Sequence, residues 1–66
     1  MNNDLLERMI EGKGLKKQFI AESLGISRET LYNKLTGKTE FTAAEIRRLA
    51  KILSLSQKDI QRIFFN

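Results

Sequence analysis

Residues Ala21–Phe41 read AESLGISRETLYNKLTGKTEF, and this stretch decides the fold. A glycine, Gly25, separates two short runs with helical apolar spacing. The first run, from near Leu15, carries Phe19, Ile20 and Leu24 on one face, with Ala21 and Ser23 small. Gly25 is expected to end it with a positive φ, and Ile26 to tuck inward. Ser27 is an ordinary N-cap for a third helix over about Arg28 to Leu35, closed by Gly37. Residue 30 is threonine, so the acidic half of a capping box is absent. Leu31 and Leu35 lie four apart and face inward, which leaves Arg28, Glu29, Thr30, Tyr32, Asn33 and Thr36 around the rest of the helix.

Working outward, Leu5, Leu6, Met9 and Ile10 give a first helix over about Asp4 to Glu11, capped by Asp4 or Asn3 and ended by Gly12 and Gly14. Thr42-Ala43-Ala44-Glu45 is a capping box with Phe41 and Ile46 at the staple positions. The helix behind it buries Ile46, Leu49, Ala50 and Leu53. Ser56-Gln57-Lys58-Asp59 repeats the device with Leu55 and Ile60, and the last helix carries Ile60, Ile63 and Phe64. The reading is an all-α, compact five-helix bundle: one domain, residues 1–66, with a helix-turn-helix over about 16–36.

The 66 residues contain no cysteine, histidine or proline. Disulfides and the usual zinc ligands are absent, so an apolar core must hold the chain, and no metal or other cofactor is expected. Histidine-based triads and thiol chemistry are excluded. Ser23, Ser27, Ser54 and Ser56 have cap or helix roles, and Gly12-Lys13-Gly14 is too short for a phosphate loop. The chain is not expected to be an enzyme or to take a small-molecule substrate. No run is long enough to span a membrane, and no signal peptide is visible at Met1-Asn2-Asn3-Asp4, so a cytoplasmic protein is expected.

Net charge is +4, from twelve basic and eight acidic side chains. The excess concentrates in residues 12–38, where Lys13, Lys16, Lys17, Arg28, Lys34 and Lys38 face Glu22 and Glu29. That bias favours an anionic partner. A helix as wide as the third one fits the DNA major groove, where Arg28 can donate to guanine, Asn33 can pair with adenine and Glu29 can accept from cytosine. Tyr32 can touch a thymine methyl or bond a phosphate. Lys17 and Lys38 are candidate phosphate contacts.

The segments LKKQFIAESLGISRETLYNKLTGK (Leu15–Lys38) and FTAAEIRRLAKILSLSQKDI (Phe41–Ile60) resemble the Cro/C1-type, lambda repressor-like helix-turn-helix family. They look most like small Cro-like or repressor-like proteins of phages in Gram-positive hosts. Ala21, Leu24-Gly25-Ile26-Ser27, Leu31 and Gly37 carry the resemblance, which covers residues 5–64. It implies a transcriptional regulator, Cro-like and repressing, in which Arg28, Glu29, Tyr32 and Asn33 read bases. Lys17, Ser27, Thr30, Thr36 and Lys38 then hold the DNA backbone. Lys17 stands where the family usually has a glutamine that bonds a phosphate and braces the recognition helix. Lys34 stands where an apolar residue is common, with Leu35 supplying that group one position later.

The implied partner is a double-stranded, near-palindromic operator bound by a homodimer, with half-sites about one helical turn, roughly 34 Å, apart. Phe41, Ile63, Phe64 and Phe65 are the candidate dimer surface, and one of the last two phenylalanines is expected to close the core. Two other readings stay open: a small helical protein-interaction module, and the DNA-binding fragment of a larger repressor.

Overall fold

The computed structural model describes residues 1–65. Five helices run in order: α1 (Asn3–Lys13), α2 (Lys17–Leu24), α3 (Arg28–Leu35), α4 (Ala43–Leu53) and α5 (Gln57–Phe64). Among the described residues there is no strand, and no helix is long and apolar enough to cross a membrane. α2 packs on α3 and α4, and α1 lies against α3, α4 and α5. One core joins them: Leu6 and Ile10 from α1, Ile20 and Ala21 from α2, Leu31 and Leu35 from α3, Leu49 and Leu53 from α4, Ile63 from α5, and Phe41 from the α3–α4 loop.

Most boundaries follow from local chemistry, although α2 starts after Lys16 with no side-chain cap. Ser27, Thr42 and Ser56 sit in extended backbone, and each accepts from the N–H three residues on. At Thr42 and Ser56 the reciprocal bond is also present: the Glu45 carboxylate accepts from Thr42 N–H at 2.8 Å, and Asp59 from Ser56 N–H at 3.0 Å. At Ser27 the threonine at residue 30 takes no bond from the cap amide; instead Ser27 Oγ donates to Thr30 Oγ1 at 2.9 Å. α2, α3 and α4 end alike. In α2 the Gly25 and Ile26 amides donate back to the carbonyls of Glu22 and Ala21, and Gly25 has φ 72° as the sequence requires. In α3 the donors are Gly37, φ 85°, and Lys38. In α4 the residue in that left-handed position is Ser54, φ 53°.

Two sequence expectations shift at α1. Its cap is Asn2, whose side chain accepts from Leu5 N–H, so Asn3 and Asp4 lie inside the helix. Gly14 alone ends it, in left-handed backbone, while Gly12 stays helical. Phe19 is corrected as well. It is 48 % exposed, because α2 turns Ile20 and Ala21 into the core instead. The two ends of the chain meet where the Asn2 amide donates to the Ile63 carbonyl at 2.6 Å.

Two stability predictions follow from the caps. Left-handed backbone is costly for any residue with a Cβ. Ser54→Gly should therefore raise stability by about 0.5–1 kcal/mol, and Gly25→Ala should lower it by about 1 kcal/mol. Thermal unfolding followed by circular dichroism checks both, and a Ser54→Gly variant melting below the parent would refute the assignment. The second concerns acid. Burial alone would raise the Glu45 carboxyl, but the Thr42 N–H and the Lys34 ammonium outweigh it and hold it below its ordinary 4.5. The Ser56 N–H and hydroxyl hold Asp59 below 3.8. Both pKa values are depressed on folding, so the stability they add is complete above the unfolded values and is lost as pH falls through the folded ones. Urea unfolding midpoints should be level from neutral pH down to about 5 and then decline. Glu45→Gln should flatten part of that acid limb.

Candidate functional site

The α2–α3 pair is rigid at its joint. Gly25 and Ile26 close α2, and Ser27 opens α3 immediately, so only three residues separate the helices. Ala21 is buried on α2, and Leu31 and Leu35 are buried on α3. The opposite side of α3 is left to solvent. Arg28 and Glu29 are exposed, Tyr32 is 65 % exposed, and Asn33 is half-buried. Among the described residues, none of these four side chains makes an intramolecular side-chain hydrogen bond or ion pair. Positions 28 and 32, and positions 29 and 33, are one turn apart, so the four share a continuous face. It offers a guanidinium, a carboxylate, a phenol and an amide, all with open hydrogen-bonding capacity.

The expected backbone-contacting residues divide into engaged and open groups. Lys38 is exposed just after α3, and its amide is fixed to the Asn33 carbonyl at 2.9 Å. Lys17 is at the start of α2, as expected, but its ammonium pairs with the Glu7 carboxylate of α1 at 3.2 and 3.4 Å. Both partners are well exposed, so that pair contributes only about 0–1 kcal/mol and a phosphate can displace it. The hydroxyls of Ser27 and Thr36 are committed internally. Ser27 Oγ donates to Thr30 Oγ1 and accepts from Thr30 N–H, and Thr36 Oγ1 donates to the Tyr32 and Asn33 carbonyls at 3.0 and 3.3 Å. The Thr30 hydroxyl, taken as an acceptor by Ser27, keeps its own proton to give.

The apolar candidates need correction. Ile63 is fully buried, and Phe41 is in the core, edge-on to Phe64 with ring centroids 5.9 Å apart. Ile63 presents no surface, and Phe41 only an edge. Phe64 is half-buried, and Phe65 is 62 % exposed. One terminal phenylalanine therefore closes the core and the other does not. Phe65 borders an open groove with Met1, Phe41, Ile46 and Phe64.

Sequence reasoning missed the engagement of Lys34. Its ammonium is 3.1 Å from Glu45 Oε1, donates to the Glu40 carbonyl at 3.0 Å, and lies 5.9 Å from the centre of the Phe41 ring. Read as part of the basic excess, it is in fact neutralised inside the fold. The only local hint was a lysine where an apolar residue fits; its partner is eleven positions away. Arg48 is a second missed tie, donating from α4 to the Ser23 carbonyl in the last turn of α2 at 3.3 Å.

No curated protein and no solved structure matches the chain. Residues 2–66 match the model of a family described as protein of unknown function (DUF739), and the chain belongs to that family.

Proposed function

We propose that the protein is a sequence-specific double-stranded DNA-binding regulator of the Cro/C1-type, lambda repressor-like kind, acting in the cytoplasm of a bacterium or a phage-infected cell. The observation that carries this reading is the outer face of α3. The side chains of Arg28, Glu29, Tyr32 and Asn33 stand there without hydrogen-bond or ion-pair partners among the described residues, on a helix locked to the core by Leu31 and Leu35. A helix about 10–12 Å across enters a major groove about 12 Å wide. Arg28 and Asn33 supply the bidentate contacts that distinguish guanine and adenine. Glu29 selects cytosine, and Tyr32 reaches a thymine methyl or a phosphate. Lys38, Lys17 and the Thr30 hydroxyl take phosphates on either side and set the register.

One helix reads few base pairs, so a two-fold dimer on a near-palindrome supplies the affinity. Phe65, with the exposed Met1 and the half-buried Phe64, is the contact left for a second copy once Ile63 and Phe41 are assigned to the core. The same exposed Phe65 supports a second reading, a protein-interaction module in which the basic charge is incidental. Selection from random duplex DNA separates the two: recovery of a defined site supports the regulator, and the absence of any preferred duplex supports the module.

With a site in hand, Arg28→Ala and Asn33→Ala should each lose about 1–3 kcal/mol of discrimination at one operator position. Variants that bind every sequence as the parent does would refute the assigned face. Lys38→Gln should weaken binding equally on all sequences and lower the salt slope by about one unit, with Lys17→Gln doing so less because Glu7 already competes for its charge. Phe65→Ser should keep the fold and half-site binding but weaken cooperative binding to the full operator. Sedimentation showing one protein chain per operator at excess parent protein would refute the dimer.

A further inference from the structure

We infer that Lys34 is a positioning residue for the DNA-reading helix: its ammonium ties the second half of α3 to the loop and helix cap that follow, and it touches no DNA itself. This rests on the reading of α3 given above. Lys34 lies on the flank of the Leu31–Leu35 stripe, away from Arg28 and Tyr32. Its side chain is 11 % exposed, and that of Glu45 is 15 % exposed. The pair is therefore screened far less than Lys17–Glu7, where the values are 45 % and 35 %.

The anchor is itself fixed. Glu45 accepts from Thr42 N–H at 2.8 Å while its own amide donates to Thr42 Oγ1 at 3.1 Å. Lys34 therefore holds a carboxylate that cannot move without undoing the first turn of α4. Its second bond, to the Glu40 carbonyl, grips the loop just before that cap. Next to it, the Asn33 carbonyl accepts the amides of Lys38 and Thr39 at 2.9 and 3.2 Å. Two consecutive residues of α3 thus clamp the connecting segment at both ends: residue 33 where it leaves the helix, residue 34 where it reaches α4. Asn33, assigned to a base, and Lys38, assigned to a phosphate, are held in fixed relation by that clamp. An apolar side chain at 34 would fill the space beside Phe41 and leave the α4 end of the segment untied.

The test uses the full chain with Lys34→Met, Lys34→Arg and Glu45→Gln, since glutamine preserves the capping box but removes the charge. Amide hydrogen exchange at Lys38 and Thr39 is read without DNA. Affinity is read across a salt series on the duplex selected by the parent and on a scrambled duplex. Lys34→Met should keep its helical circular dichroism, speed exchange at both amides several-fold, and lose about three- to tenfold in specific affinity with the salt slope and scrambled-duplex affinity unchanged. Lys34→Arg should restore both readouts, and Glu45→Gln should reproduce the loss.

Parent-like exchange and specific affinity in Lys34→Met would overturn the proposal. So would a salt slope lowered by about one unit on every duplex, which would make Lys34 a phosphate contact. If Lys34→Met does not fold, the same criteria apply to Glu45→Gln. A parent that selects no duplex overturns the reading of α3 and the DNA role of Lys34 with it, and the exchange data then still show whether the clamp exists.

Discussion

A helix of eight residues does not hold itself together in water, because nucleation costs more than two turns of hydrogen bonds return. Three of the five helices, α2, α3 and α5, have that length. Each exists because one or two side chains are withdrawn from water, Ile20 and Ala21 in α2, Leu31 and Leu35 in α3, Ile63 in α5, and because at least one end is chemically closed: the C-terminus of α2, both ends of α3 and the N-terminus of α5. The joint between α2 and α3 takes this furthest. Gly25 and Ile26 spend their amides on closing α2, and Ser27 spends its hydroxyl on opening α3, leaving little freedom to alter the angle between them. Whatever α3 presents, it presents in one orientation.

Helix number and most helix ends were legible in the sequence because caps are local. Ser27, Thr42, Ser56, Gly25 and Gly37 act on neighbours three or four residues away, and each does what its position implies. What sequence could not fix was the phase of short helices. In α2 two turns contain Phe19, Ile20 and Leu24, and periodicity over so short a span does not say which bulky residue is withdrawn. Packing against α3 and α4 selects Ile20 and Ala21 and leaves Phe19 outside. At the end of α5 the apolar face was visible, but which of Ile63, Phe64 and Phe65 would surface depends on how α5 meets α1. For the candidate site, the outward set on α3 was readable by elimination from Leu31 and Leu35. The commitments of Lys17, Lys34 and Thr36 were not, since the two lysines are held by partners on other elements and the Thr36 hydroxyl turns back on its own helix.

Charge shows the same division between count and geometry. A net +4 describes the chain, but an ammonium held at 3.1 Å from a carboxylate in a largely covered position adds little outward field. Lys34 serves the interior and Lys17 is partly occupied by Glu7, whereas Arg28 and Lys38 stand exposed at the two ends of α3. The positive potential is therefore better placed than large. It brackets the helix whose polar side chains are open.

The bond between the Asn2 amide and the Ile63 carbonyl makes the first and last described helices meet, and a Cβ on Gly37 would come within 3.2 Å of Asn3. Met1, Phe65 and the turn after α3 thus occupy one corner of the molecule. Topologically the chain is a nearly closed ring, moored beside the loop that carries Lys38. Polypeptide joined ahead of Met1 would start from that corner, beside the α3–α4 loop. The same closure places the meeting of α1 and α5 at a single seam. Opening it would part α5 from α1, while α1 would still be held by its contacts with α3 and α4.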